Sequence, residues 1–73
     1  STGTITLTAS ATSSTLTDAR ISGNSVILFM PTTANGRTAL NTLHVSARAN
    51  GSATLTHASS GNTDQTLSYC IIG

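Results

Sequence analysis

From Thr4 to Ala9 the chain alternates without interruption: Thr4, Ile5, Thr6, Leu7, Thr8, Ala9. A period of two sets threonine on one face and apolar side chains on the other, which predicts a half-buried β-strand. Residues 10–14 read as a polar turn, and Thr15-Leu16-Thr17 begins a second short strand. Asp18-Ala19-Arg20-Ile21 follows, and Ser22-Gly23-Asn24 marks a break. Val26-Ile27-Leu28-Phe29-Met30 is different, because it is apolar at both parities. In a strand that pattern requires cover on both faces. The expected cover is the chain's own sheet on one side and either a helix or a neighbouring chain on the other. Pro31 stops the strand, since it brings no N–H to a ladder.

Residues 33–42 form the one predicted helix, with Thr33 as its cap and Leu43 three positions beyond Leu40 on the same face. Gly36 weakens that helix. Residues 43–49 and 52–58 flank Asn50-Gly51, the strongest short-range signal for a two-residue hairpin. A type I′ turn there pairs Arg48 with Ala53, Ser46 with Leu55 and His44 with His57. Residues 59–64 read as a polar loop, and residues 67–72 as a last strand. The expected fold is mainly β, with five to six short antiparallel strands and one short helix. A small sandwich or a barrel-like meander accommodates it.

Composition narrows the function. The 73 residues make one domain, with no room for two cores. Ser and Thr fill 26 positions, only five residues are charged, and neither Lys nor Glu occurs. A net charge of +1 gives no electrostatic footprint for nucleic acid, and the longest apolar run, residues 26–30, is far too short for a membrane span. Neither nucleic acid nor membrane insertion is therefore expected. A neutral Ser/Thr surface fits a rigid extracellular or particle-borne β-protein. Only eighteen apolar side chains are larger than alanine. Small domains short of core recruit a disulfide, a metal or a partner chain. A single Cys excludes an internal disulfide, so self-association is the expected remedy. Val26, Ile27, Leu28, Phe29, Met30, Ile71 and Ile72 are the residues expected to pack the core and the contact between chains.

Chemistry-bearing residues are scarce. His44 and His57 are the only metal-type pair, set opposite each other by the expected hairpin, but two ligands do not make a structural metal site. The expected role for both is ordinary, with no metal and no cofactor. Asp18 and Asp64 are the only carboxylates. Asp18 lies two positions before Arg20 on one strand face, as a structural ion pair would, and Asp64 sits in a turn-forming loop. No Gly-x-Ser-x-Gly elbow occurs, so no nucleophilic site is expected. Cys70, between Tyr69 and Ile71, reads as a small buried hydrophobe. Asn50-Gly51-Ser52 matches a glycosylation acceptor pattern, which the hairpin explains equally well.

Several segments recur together in one family. They are the opening Thr-x-Thr-Leu-Thr-x-x-Ala, Leu16-Thr17-Asp18-Ala19-Arg20-Ile21, Asn24-Ser25-Val26-Ile27-Leu28 and Met30-Pro31-Thr32-Thr33-Ala34-Asn35. To these add Val45-Ser46-Ala47-Arg48, residues 50–58 and the closing Tyr-x-Ile-Ile-Gly. As a set they resemble a short C-terminal domain carried by tail fibre- and spike-like virion proteins of bacteriophages and prophages. The resemblance spans nearly the whole chain. It implies a structural, non-enzymatic domain displayed on a virion, assembled as a homotrimer and joined to other virion proteins through a preceding N-terminal part. The chain itself, which opens on Ser with no signal segment, reads as the C-terminal fragment of a longer polypeptide. Host attachment is a further expectation. Two alternatives remain at this stage: a receptor-recognition module for bacterial surface glycan, and a capsid-decorating head fibre. With Phe29 and Tyr69 the only aromatics, and both inside apolar strands, aromatic platforms for sugar are lacking.

Overall fold

The computed structural model describes residues 2–73. Six strands and one helix follow in the order β1 (Thr2–Thr6), β2 (Ser13–Thr17), β3 (Val26–Pro31), α1 (Ala34–Leu40), β4 (His44–Ala49), β5 (Ser52–Thr56) and β6 (Thr66–Ile72). The strands form two three-stranded antiparallel sheets, sheet A in the order β1-β6-β3 and sheet B in the order β2-β5-β4. The molecule is a sandwich and not a meander. Only β4 and β5 are neighbours both in sequence and in space.

The alternation of Thr and apolar residues does what its period demands. In β1 the threonines are exposed and Gly3 and Ile5 turn inward. The strand stops at Thr6, two residues after the alternation begins, but the inward run continues into Leu7, whose N–H bonds the Gln65 carbonyl at 2.9 Å. Pro31 belongs to β3, an edge strand, where a missing donor on the outer side costs nothing. The core unites both sheets and the helix: Leu16, Ala53 and Leu55 from sheet B meet Leu67, Tyr69 and Ile71 from sheet A, with Leu7, Ile21 and Ala39. Ile27 and Phe29 pack against it from β3.

The helix is capped by Thr33, whose hydroxyl accepts the Gly36 N–H at 2.9 Å. It is shorter than the sequence predicts. Asn41 ends it, and the Thr42 hydroxyl then donates to the Ala39 carbonyl at 3.0 Å. At Gly36 the helix backs tightly onto sheet A, because a Cβ there would overlap the carbonyl of Thr66. The residue that weakens the helix is the one that lets it dock.

The hairpin forms at Asn50-Gly51, with Ala49 opposite Ser52, but two of its expected details are wrong. Gly51 has a φ of +85° while Asn50 keeps a negative φ, so the turn is not type I′, which needs both positive. The cause is a contact from outside the hairpin: the Gly51 N–H bonds the Ile21 carbonyl at 2.8 Å, and its carbonyl accepts the Asp18 N–H at 3.0 Å. The register also slips. Ala47 opposes Thr54, yet Val45 opposes Leu55 and His44 opposes Thr56, with a bulge at Ser46. Packing explains the bulge. Unbroken pairing would turn Val45 outward beside Thr56, whereas the slip places it opposite Leu55, on the inward face, where it packs against the core.

Candidate functional site

The site begins with β3. Its inward residues Ile27 and Phe29 meet the core, whereas Val26, Leu28 and Met30 are 51–61% exposed. The expectation of cover on both faces is thus met within the chain on one face only, and the helix does not supply the other. The chain is already fully collapsed. Its radius of gyration, 11.2 Å, equals the roughly 11 Å of a close-packed chain this long. No further folding of this chain closes over β3.

Register extends the open face across sheet A. Leu28 stands beside Cys70 and Thr2 in one row, Met30 beside Ser68 and Thr4 in the next, and Val26 beside Ile72. Ile72 is 53% exposed and Ile71 buried, so these two expected packing residues point to opposite faces. Cys70 is half-buried on this outer face and is not a core residue. Large side chains on β3, small ones on β6 and threonines on β1 leave an open trough of about 420 Å³ above Ser68 and Cys70. Sheet B is the opposite in chemistry. Its outward rows are Ser13-Thr56-His44, Thr15-Thr54-Ala47 and Thr17-Ser52-Ala49, mostly hydroxyls. The sandwich has one wet face and one apolar face.

The two histidines do not meet as expected. His44 is exposed on the outward face of sheet B. His57 lies beyond β5, is 3% exposed, and holds the Ser14 hydroxyl at 2.8 Å through Nε2. Its Nδ1 faces the Ala58 carbonyl at 3.0 Å, which only accepts, so Nδ1 carries the proton and Ser14 donates to Nε2. Ser14 in turn accepts the Thr8 N–H at 2.9 Å. The pair therefore ties the segment after β1 to β2 and to the end of β5. Period two along β5 already hints at this, since Ala53, Leu55 and His57 share the inward parity. Among the described residues no group of three or more His, Cys, Asp or Glu side chains is placed to hold a metal ion.

Asp18 and Arg20 do pair, at 2.6 Å, but in a turn after β2 and not along a strand face. The arginine's hydrogen bonds hold the Asp18 carboxyl well below the usual carboxylate range, and the Tyr69 hydroxyl adds to this. Asp64 accepts the Asn35 amide at 2.6 Å and its carbonyl accepts the Thr33 hydroxyl. Each carboxylate is committed to a different set of partners. A second concavity, about 270 Å³, lies between α1 and residues 58–65 and is lined by Asn35, Thr38, Thr42, Ser60, Asn62 and Gln65 among others. Gln65 is 1% exposed and its amide donates to the Asn62 carbonyl at 2.9 Å.

Among the described residues no helix is long and apolar enough to cross a membrane. No protein-family model matches the chain, and neither a curated protein nor a solved structure is significantly similar to it.

Proposed function

We propose that this chain is a structural assembly domain of a bacteriophage virion, the C-terminal domain of a tail fibre or spike protein, which holds copies together as a homotrimer. The observation that carries the reading is the uncovered apolar face of β3 and β6 on a chain that is already collapsed. Such a face on a monomer is a template for aggregation unless a partner covers it. Assembly turns it into a second core. The shared segments quoted from Thr4 to Gly73 supply the virion and fibre context, with other virion proteins reached through a preceding part of the polypeptide. The hydroxyl-rich face of sheet B is then left outward, available for contact with the host surface. Catalysis has no part in the proposal.

Light scattering at micromolar concentration tests it. Three chains of 7.3 kDa give a particle of about 22 kDa. A monodisperse 7.3 kDa species overturns the reading.

A second reading, a module for bacterial surface glycan, is favoured by the cleft beside α1. The cleft gathers the hydroxyls of Thr38, Thr42 and Ser60 with the amides of Asn35, Asn62 and Gln65. Hydroxyls and amides around a concavity suit a neutral sugar. Titration with neutral monosaccharides, followed by shifts of the Gln65 side-chain amide resonances, tests this reading; no shift at millimolar sugar removes it.

A further inference from the structure

We infer that the outer face of sheet A is a ridge-and-trough interface between copies of this chain, with Leu28 and Met30 of one copy seated in the trough above Ser68 and Cys70 of the next. The inference rests on the assembly reading and adds to it the face and the geometry.

Shape argues for it first. Leu28 and Met30 stand side by side on one parity of β3, and the small residues of β6 beside them leave the trough, walled on its far side by Thr2 and Thr4 of β1. Ridge and trough belong to the same face and are displaced sideways by about one strand spacing, roughly 4.8 Å. One copy therefore presents its ridge to a second copy and its trough to a third. Such head-to-tail contact closes as a ring when the rotation permits, and three copies form a prism with sheet A inward and the hydroxyl rows of sheet B outward.

Chemistry selects a second copy as the occupant. The outward positions of β1, β3 and β6 carry no charge at all: threonines, one serine, Cys70 and the four exposed large apolar side chains. A charged partner surface would lose its hydration against this face without finding a counter-ion. The face itself, meeting a copy of itself, leaves no charge stranded, and depletion of charge is a compositional mark of an interface core.

The experiment is a charge swap across the proposed contact, read as the concentration dependence of mass in light scattering and sedimentation. Met30→Asp places a carboxylate on the ridge, and Thr4→Arg places a guanidinium on the trough wall. Both positions are exposed, so the fold of each variant is checked by its circular dichroism spectrum. Each single change should weaken association at least tenfold. The double variant should recover most of the loss, because each ridge carboxylate then meets a neighbour's guanidinium. Thr15→Asp, on the outward face of sheet B, should leave the mass unchanged. If the wild type associates and neither single change alters it, the face is wrong while the assembly reading stands. Singles that dissociate with a double that stays dissociated overturn the ridge-in-trough geometry. A particle of two chains overturns the ring of three, and a wild-type monomer overturns the assembly reading itself.

Discussion

The Tyr69 hydroxyl donates to Asp18 Oδ2 at 2.8 Å, across 51 residues of sequence and from sheet A to the turn that follows β2. To get there the phenol ring passes directly over Gly3, its neighbour on β1, where any Cβ would overlap the ring and hydroxyl. The Arg20 guanidinium closes the arrangement, bonding both Asp18 oxygens and reaching the Thr2 carbonyl at 3.3 Å. One glycine thus admits a clasp between the two sheets.

Gly3→Ala should therefore destabilise the fold by about 1–3 kcal/mol, the usual cost of forcing an extra methyl group into a packed site. Chemical denaturation measures it. Wild-type stability for this variant would mean that Tyr69 does not cross Gly3.

The same hydrogen bond predicts a stability plateau with two edges. Arg20 and Tyr69 hold the folded Asp18 carboxyl below its usual range, so their contribution is fully present above about pH 4 and is lost as pH falls below it. Tyr69 is raised above its usual value, first by donating to Asp18 and then by burial. Its contribution is present below about pH 10 and is lost as pH rises through the higher folded value. Melting temperature against pH should show both edges. Asp18→Asn should flatten the acid edge and shrink the alkaline one to what burial of Tyr69 contributes, and Tyr69→Phe should abolish the alkaline edge while leaving an acid edge due to Arg20.

Ser14 and His57 predict a contrast between two histidines that composition treats alike. Ser14→Ala leaves the buried His57 Nε2 without its partner, takes one from the part-buried Thr8 N–H, and should cost about 1–3 kcal/mol. His44→Ala, on the exposed face, should change stability by less than about 0.5 kcal/mol. A chelator should leave the melting temperature unchanged. If His44→Ala destabilises as much as Ser14→Ala, the buried and exposed assignments are reversed.

Two glycines predict opposite outcomes for one substitution. Gly36→Ala gains about 1 kcal/mol of helix propensity, yet its methyl group collides with the Thr66 backbone and should lower stability by about 1–3 kcal/mol net of that gain. Gly23→Ala meets open space at a φ outside the left-handed region and should be neutral or stabilise by about 0.4–1 kcal/mol. Thermal melts of the two variants, side by side, decide it.

Local chemistry was legible in the sequence, and long-range geometry was not. The Thr-x-Thr alternation, the double-parity run at residues 26–30, the Thr33 cap and the Asn50-Gly51 hairpin each depend on residues within a few positions of one another, and each stands in the structure. The bulge at Ser46 depends on Val45 reaching a core assembled from other strands, so turn chemistry alone put His44 opposite the wrong residue. The clasp on Asp18 depends on Tyr69, which no local pattern connects to it. The open face was half legible: two apolar parities announced that β3 needs cover twice, and only the packed chain fixes which parity stays open.

The order β1-β6-β3 has a consequence for biogenesis. The first and third strands of the chain touch no common ladder except through the sixth. Until Thr66–Ile72 has left the ribosome, sheet A does not exist, and Leu7 and Tyr69 have no shared interior. Sheet B, held by a local hairpin, is able to form earlier. Closing the long loops from β1 and β3 onto β6 is slow, in the millisecond-to-second range typical of non-local β topologies. Throughout that wait the residues of the ridge are exposed on an unpaired strand. On the assembly proposed above, chains that emerge close together, from neighbouring ribosomes on one message, would meet at the stage when pairing in the wrong register is also open to them.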